Sequence, residues 1–187
     1  MEFRTRVEDV PKDAMRTIAE AFKKEPHLLP ITEEDVRRSL EDGVAIVALL
    51  RGQAVAFTRL IDLGNGAWEL GSTWVHEAHR NRKLNHLLYN VFLPLHRERN
   101  ILATTTNPRS LCVGEDLGFV LVPRRTLPEP IWRSTCVCPA KKMGTHDSGA
   151  CKRAWSEPQS SGTTCWLRVT RETAERMHLR PARVLPP

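Results

Sequence analysis

Three strand-length apolar runs stand between Val44 and Val75, joined by turns that leave room for little but hairpins. Val44–Leu50 is almost continuously apolar, Arg51-Gly52 turns it back, and Ala54–Ile61 follows. Gly64-Asn65-Gly66 then leads into a third run, Trp68–Val75. Runs of this length with glycine-bearing connections read as consecutive antiparallel strands. Helices precede them. Val10, Ala14, Met15, Ile18, Ala21 and Phe22 recur at helical spacing, and Pro11 suits a first helical turn. Pro26 and Pro30 interrupt the chain, after which Thr32, with Asp35 three residues on, predicts a capped second helix reaching about Glu41. Glu2–Val7 alternates as a first strand.

Beyond Val75 the pattern changes to strand, helix, strand, helix. A polar turn, His76–His79, is followed by a predicted helix over 80–99 with Leu84, Leu87, Leu88, Val91, Phe92 and Leu95 on one face and a kink at Pro94. Arg80, Asn81, Arg82 and Lys83 fall in its first turn. Cations there oppose the helix dipole. The free N–H groups of a helix N-terminus suit a phosphate, so the conflict points to an anion. ILATTTNPRS reads as a strand ending at Asn107, whose side chain can cap the helix that Pro108 opens. Phe119–Val122 makes a further strand. The fold class expected is α/β (α+β), a mixed, mostly antiparallel twisted sheet flanked by helices.

In these residues the chain resembles the GCN5-related N-acetyltransferase (GNAT) superfamily. Its pyrophosphate loop, Arg/Gln-x-x-Gly-x-Gly/Ala after the fourth strand, corresponds to Arg80-Asn81-Arg82-Lys83-Leu84-Asn85. Its Asn-x-x-Ala-x-x-Leu-Tyr-x-x-Leu-Gly-Phe motif corresponds to Asn107 through Phe119, with Leu117-Gly118-Phe119 intact. Lys83 and Asn85 replace the two small residues of the loop, and Gly114 stands where the family carries its general-acid tyrosine. The resemblance implies acetyl-CoA as co-substrate, contacted by Trp74, Val75, Arg80, Asn81, Arg82, Lys83, Leu84, Asn85 and Asn107. It also implies a catalytic base on the fourth strand, where Glu69 stands; the other reading of Glu69 is a solvent-facing strand residue. Tyr89 reads as a packing residue, which leaves Ser110, Cys112 or water to protonate the leaving thiolate. His76, His79 and His86 read as surface histidines. LPEPIW, ahead of the cysteines, is weakly similar to a segment of amino-acid acetyltransferases related to N-acetylglutamate synthase.

Charge divides the chain. The net charge is +6. Residues 1–122 carry 16 Lys/Arg against 17 Asp/Glu, and residues 123–187 carry 12 against 5. Five of the 13 prolines fall in 123–163 without a periodic apolar run, and so long a segment needs something other than a core to order it. Cys136, Cys138, His146, Cys151 and Cys165 are candidate ligands for a structural zinc; buried free thiols or a Cys136–Cys151 disulfide are the alternatives. The expected organisation is a core over 1–122, a Pro/Cys-rich basic insertion over 123–163, and a last strand (Thr164–Val169), short helix and tail over 164–187. No membrane-spanning run or signal peptide is read, so a cytoplasmic protein is expected, as a monomer or homodimer. The function expected is acyl-CoA-dependent acyl transfer to a small-molecule or protein amine. The alternative is a non-catalytic protein of this fold that meets nucleic acid or another anionic partner through its basic C-terminal part.

Overall fold

The computed structural model describes residues 1–25, 28–105, 108–122, 126–134 and 166–181. The strands are β1 (Glu2–Arg4), β2 (Ala45–Leu50), β3 (Gln53–Gly64), β4 (Ala67–Val75), β5 (Asn100–Thr105), β6 (Phe119–Leu121) and β7 (Trp166–Thr170). The helices are α1 (Lys12–Lys24), α2 (Glu33–Glu41), α3 (Leu84–Phe92), α4 (Pro108–Asp116), α5 (Glu129–Ser134) and α6 (Arg171–Arg176). Hydrogen bonding orders the strands β1-β2-β3-β4-β5-β7-β6. Pairing is antiparallel for β1/β2, β2/β3, β5/β7 and β6/β7, and parallel for β4/β5. This is the mixed, mostly antiparallel α/β sheet that the patterning predicts. The chain divides into two compact units, residues 1–61 with 70–96 and residues 62–69 with 97–187.

In the first unit, β2 and β3 form the expected hairpin. Arg51 (φ 52°) and Gly52 (φ 79°) both take the left-handed conformation, as a two-residue turn matched to strand twist requires. Alternate residues of these strands face α1 and α2. Met15, Ile18 and Phe22 of α1 and Val36 and Leu40 of α2 pack with Val47, Leu49, Phe57 and Trp74. Phe22 meets Phe57 edge to face, with ring centroids 5.9 Å apart. Burying each such side chain contributes about 1.5–3 kcal/mol. The predicted cap of α2 is present in full: Asp35 N–H donates to Thr32 Oγ1 (3.1 Å) and Thr32 N–H donates to Asp35 Oδ2 (2.8 Å). The backbone N–H of Thr32 and then its hydroxyl hold the Asp35 carboxyl below its ordinary value of 3.8. That contribution to stability is complete above the ordinary value and fades as pH falls through the depressed native one.

In the second unit, Leu102, Val122, Leu127, Ile131, Leu167, Val169, Ala174 and Leu179 form the core. β7 pairs with both β5 and β6, with Thr105 opposite Trp166 and Phe119 opposite Thr170. It therefore lies between them, not at the sheet edge; the predicted start at Thr164 lies outside the described residues. Thr173 fastens α6 to β5, its Oγ1 accepting from the Ile101 N–H at 2.7 Å. Arg176 adds bonds to Asn100 Oδ1 (2.9 Å) and the Arg97 carbonyl (3.0 Å).

Two further expectations are corrected. The helix predicted over 80–99 is α3 followed by a 3-10 turn at Leu93–His96, since Pro94 ends the α ladder by supplying no N–H; its apolar face is only partly covered, with Leu84, Leu88 and Phe92 buried and Leu87, Val91 and Leu95 exposed. The segment after Val122, read without a clear element, contains α5, whose Ile131 joins the core. Among the described residues no helix is long and apolar enough to cross a membrane.

Candidate active site

β4 does not run straight to its end. Ser72, a non-glycine strand residue, takes φ 51°, the left-handed geometry of a bulge that bends the strand and re-aims its side chains. Buried Thr58 on β3 braces this stretch, donating to the Gly71 carbonyl (3.2 Å). Its hydroxyl also shares a hydrogen bond with Thr73 (2.8 Å), which shares another with Tyr89 on α3 (2.8 Å). Tyr89 is 4% exposed, so it joins α3 to β4 as a packing residue. At the strand's end His76 N–H donates to the Val55 carbonyl (2.9 Å), and the rings of Trp74 and His76 meet edge on at 6.0 Å.

The basic cluster lies one turn earlier than its sequence suggests. Arg80, Asn81, Arg82 and Lys83 are not the first turn of α3; they form the loop before it, and the helix begins at Leu84. Asn81 (φ 64°) and Lys83 (φ 56°) are both left-handed, a conformation in which an α-helix cannot continue. Lys83, as the N-cap, and Arg82 beside it still stand at the positive end of the helix, so the dipole conflict persists. The backbone is strained as well, since the left-handed state costs an L-residue about 1–2 kcal/mol. Lys83 holds this conformation at the position where the family pattern has glycine.

Asn81, Arg82 and Lys83 are exposed. Arg80 is engaged: its Nε donates to the Val75 carbonyl (3.1 Å), and its guanidinium pairs with Glu25 beyond α1. Lys83 is the N-cap of α3 and makes no side-chain capping bond, which leaves the first amides of the helix to solvent or a ligand. Leu84 is buried. Asn85 Oδ1 is buried with no hydrogen-bond partner, where the family pattern has a small residue. Two left-handed residues, an uncapped helix start and three cations fit a phosphate group.

In the second unit, β4 pairs with β5 over Ala67–Glu69 and Asn100–Leu102. Glu69 is half-buried, and its Oε1 accepts from Thr104 Oγ1 at 2.7 Å. Asn107 lies outside the described residues. Gly114 on α4 faces Arg168 of β7: a Cβ on Gly114 would sit 2.1 Å from Arg168 Nη1. Arg168 is 3% exposed. Its guanidinium donates to the carbonyl and, at 3.1 Å, to the hydroxyl of Ser110, and lies 5.2 Å from the centre of the Phe119 ring. The space where a tyrosine at 114 would start is thus filled by a guanidinium. Sequence reasoning passed over Arg168. The available signal was a cation between Leu167 and Val169, in a strand otherwise fit for burial.

Cys112 is a free, exposed thiol. Among the described residues no three His, Cys, Asp or Glu side chains converge as a metal site, although the rings of His76 and His79 lie 5.8 Å apart. Cys136, Cys138, His146, Cys151 and Cys165 lie outside the described residues.

A sequence profile of the acetyltransferase (GNAT) family matches residues 12–119, more than half of the chain. The chain belongs to that family. By family it is an N-acetyltransferase. Solved structures agree on the fold. Rv2747 from Mycobacterium tuberculosis, in complex with CoA, superposes with a TM-score of 0.59 at 14% identity, covering 91% of this chain and 98% of that one. Ribosomal-protein-alanine N-acetyltransferase from Brucella melitensis gives 0.56 at 16% identity, covering 91% and 99%. N-acetylglutamate synthase from Neisseria gonorrhoeae gives 0.59 at 12% identity, covering 91% of this chain and 35% of that longer one. No curated protein matches the sequence significantly.

Proposed function

We propose that this GNAT protein transfers an acetyl group from acetyl-CoA to a primary amine by direct attack, with Glu69 as base and the Arg80–Lys83 loop, with Leu84 and Asn85 at the start of α3, holding phosphate. The observation that carries the reading is the uncapped start of α3, preceded by two left-handed residues and flanked by Arg82 and Lys83. Acetyl-CoA, when bound, supplies a thioester whose C–S bond breaks as the amine nitrogen bonds to the carbonyl carbon, the electron pair leaving on sulfur. Arg82 and Lys83 offset phosphate charge through charge-assisted hydrogen bonds, with Arg80 available only by sharing its contact to Glu25. Trp74 and Val75 bring the bulged end of β4 to the same loop, and Asn107 is assigned here by motif position. Glu69 takes the proton from the ammonium form of the acceptor, directly or through water. Thr104 orients its carboxylate. No residue at 114 can act as acid, and a leaving thiol with a pKa near about 8.5 needs only water to be protonated at neutral pH.

The neighbours' names cover a ribosomal-protein alanine and the amino acid glutamate, so both protein and small-molecule amines belong to the proposal. Replacing Arg80 and Lys83 together by Ala is expected to weaken CoA binding at least about tenfold, or roughly 1.4 kcal/mol, with a larger effect at low salt. Calorimetry checks this, and no heat from the wild type at millimolar CoA would overturn the acyl-transfer reading. The structural zinc on Cys136, Cys138 and Cys151, with His146 or Cys165, belongs to the proposal on sequence grounds. Elemental analysis of untagged protein is expected to find about one zinc per chain; metal-free, folded protein removes it.

A further inference from the structure

Arg59 is a partly buried cation of the first unit that the reaction above leaves unused. It lies on β3 among buried neighbours and is itself half-buried. A guanidinium has five N–H donors, and two are engaged: Nε donates to Ser72 Oγ on the β4 bulge and Nη1 to Ser39 Oγ on α2, both at 3.3 Å. Both partners are neutral hydroxyls, and both bonds are long. Ser39 already donates its own proton to the Asp35 carbonyl (2.7 Å), so toward Arg59 it can only accept.

The negative charge nearest in effect is Asp35; its Oδ2 accepts from the amide and hydroxyl of Thr32, and among the described residues no hydrogen bond joins it to Arg59. Burial pulls the Arg59 pKa down against the attraction of Asp35, as happens when a cation is desolvated more than it is neutralised. Among the described residues, then, a partly buried guanidinium has no carboxylate hydrogen-bonded to it. Such a charge is costly unless something completes it. It stands beside Ser72, three residues before Val75, whose carbonyl accepts from Arg80 of the proposed phosphate loop in the same unit. The bulge turns the Ser72 hydroxyl toward Arg59, so strand distortion and cation form one polar cluster.

We infer that Arg59, with Ser72 beside it, recognises a carboxylate on the acceptor, making the acceptor a small amine of the amino-acid class. This rests on the acyl-transfer reading and narrows its substrate. A planar guanidinium with three unused N–H groups matches a carboxylate in two-point geometry. An amide in the same place would lose the charge-assisted part of that contact.

The test uses the full chain, acetyl-CoA, and a panel of free amino acids, each paired with its C-terminal amide. The expected result is a kcat/KM for at least one acid that exceeds that of its amide by tenfold or more. In R59Q the acid should fall to the level of the amide, chiefly through KM, and R59K should restore part of the preference. CoA calorimetry on both variants reports whether the first unit is intact. Equal rates for acid and amide, equal losses for both in R59Q, or no acid accepted by a wild type that binds CoA would each overturn the inference. Failure of the wild type to bind CoA would instead remove the acyl-transfer reading beneath it.

Discussion

Glu69→Gln is expected to lower acyl transfer by about 10²- to 10⁴-fold, the usual contribution of a positioned general base. CoA affinity should change little, because the base acts on the amine and not on the cofactor. Glutamine keeps the shape of the side chain and can still accept from Thr104, so the change isolates loss of basicity from loss of packing. The fall belongs in kcat and kcat/KM together, the signature of an interaction made in the transition state. The acidic limb of the pH–rate profile should disappear with the carboxylate. An unchanged profile would take Glu69 out of the mechanism and return it to the role of a strand residue bonded to Thr104.

Gly114→Ala is expected to destabilise the second unit by about 1–3 kcal/mol, the range for overpacking a filled site. The new methyl would meet Arg168 Nη1 at 2.1 Å, its Cζ at 2.8 Å and its Cδ at 3.0 Å. An exposed arginine would swing aside, but this one is buried and tied to Ser110. Denaturant unfolding measures the loss as a lower midpoint at constant slope. The control is the same change in an Arg168→Met background. There the alanine should cost less, giving a coupling of about 0.5–3 kcal/mol between the two positions. Equal costs in both backgrounds would show that the guanidinium does not define the space beside Gly114. Retained acetyl transfer by the wild type would then show chemistry proceeding with a guanidinium where a tyrosine is absent.

Much of the fold was legible because it is written in short-range chemistry. The Arg51-Gly52 turn and the Thr32–Asp35 capping box each depend on residues within three positions of one another. The helical spacing of Met15, Ile18 and Phe22 shows directly which face is buried. The candidate site was less legible. The run Arg80–Lys83 marked it, but whether those cations belong to a helix depends on two left-handed residues, Asn81 and Lys83. Propensity disfavours that conformation for both, lysine more than asparagine. Ser72 is similar: nothing local in Leu-Gly-Ser-Thr-Trp requires the serine to take the bulge conformation, which Arg59 and Thr58 brace from another strand.

By itself, the sequence determined the order of the strands and of the helices other than α5, the hairpins, the α2 cap and the family, because periodicity, turn chemistry and contiguous motifs are properties of neighbouring residues. Tertiary structure alone decided what meets across long separations. It placed β7 between β5 and β6 and set Arg168 in the space beside Gly114. It also gathered Arg59, Ser39 and Ser72 around one bulge. Those outcomes depend on which surfaces are buried against each other, and no window of the chain contains both partners.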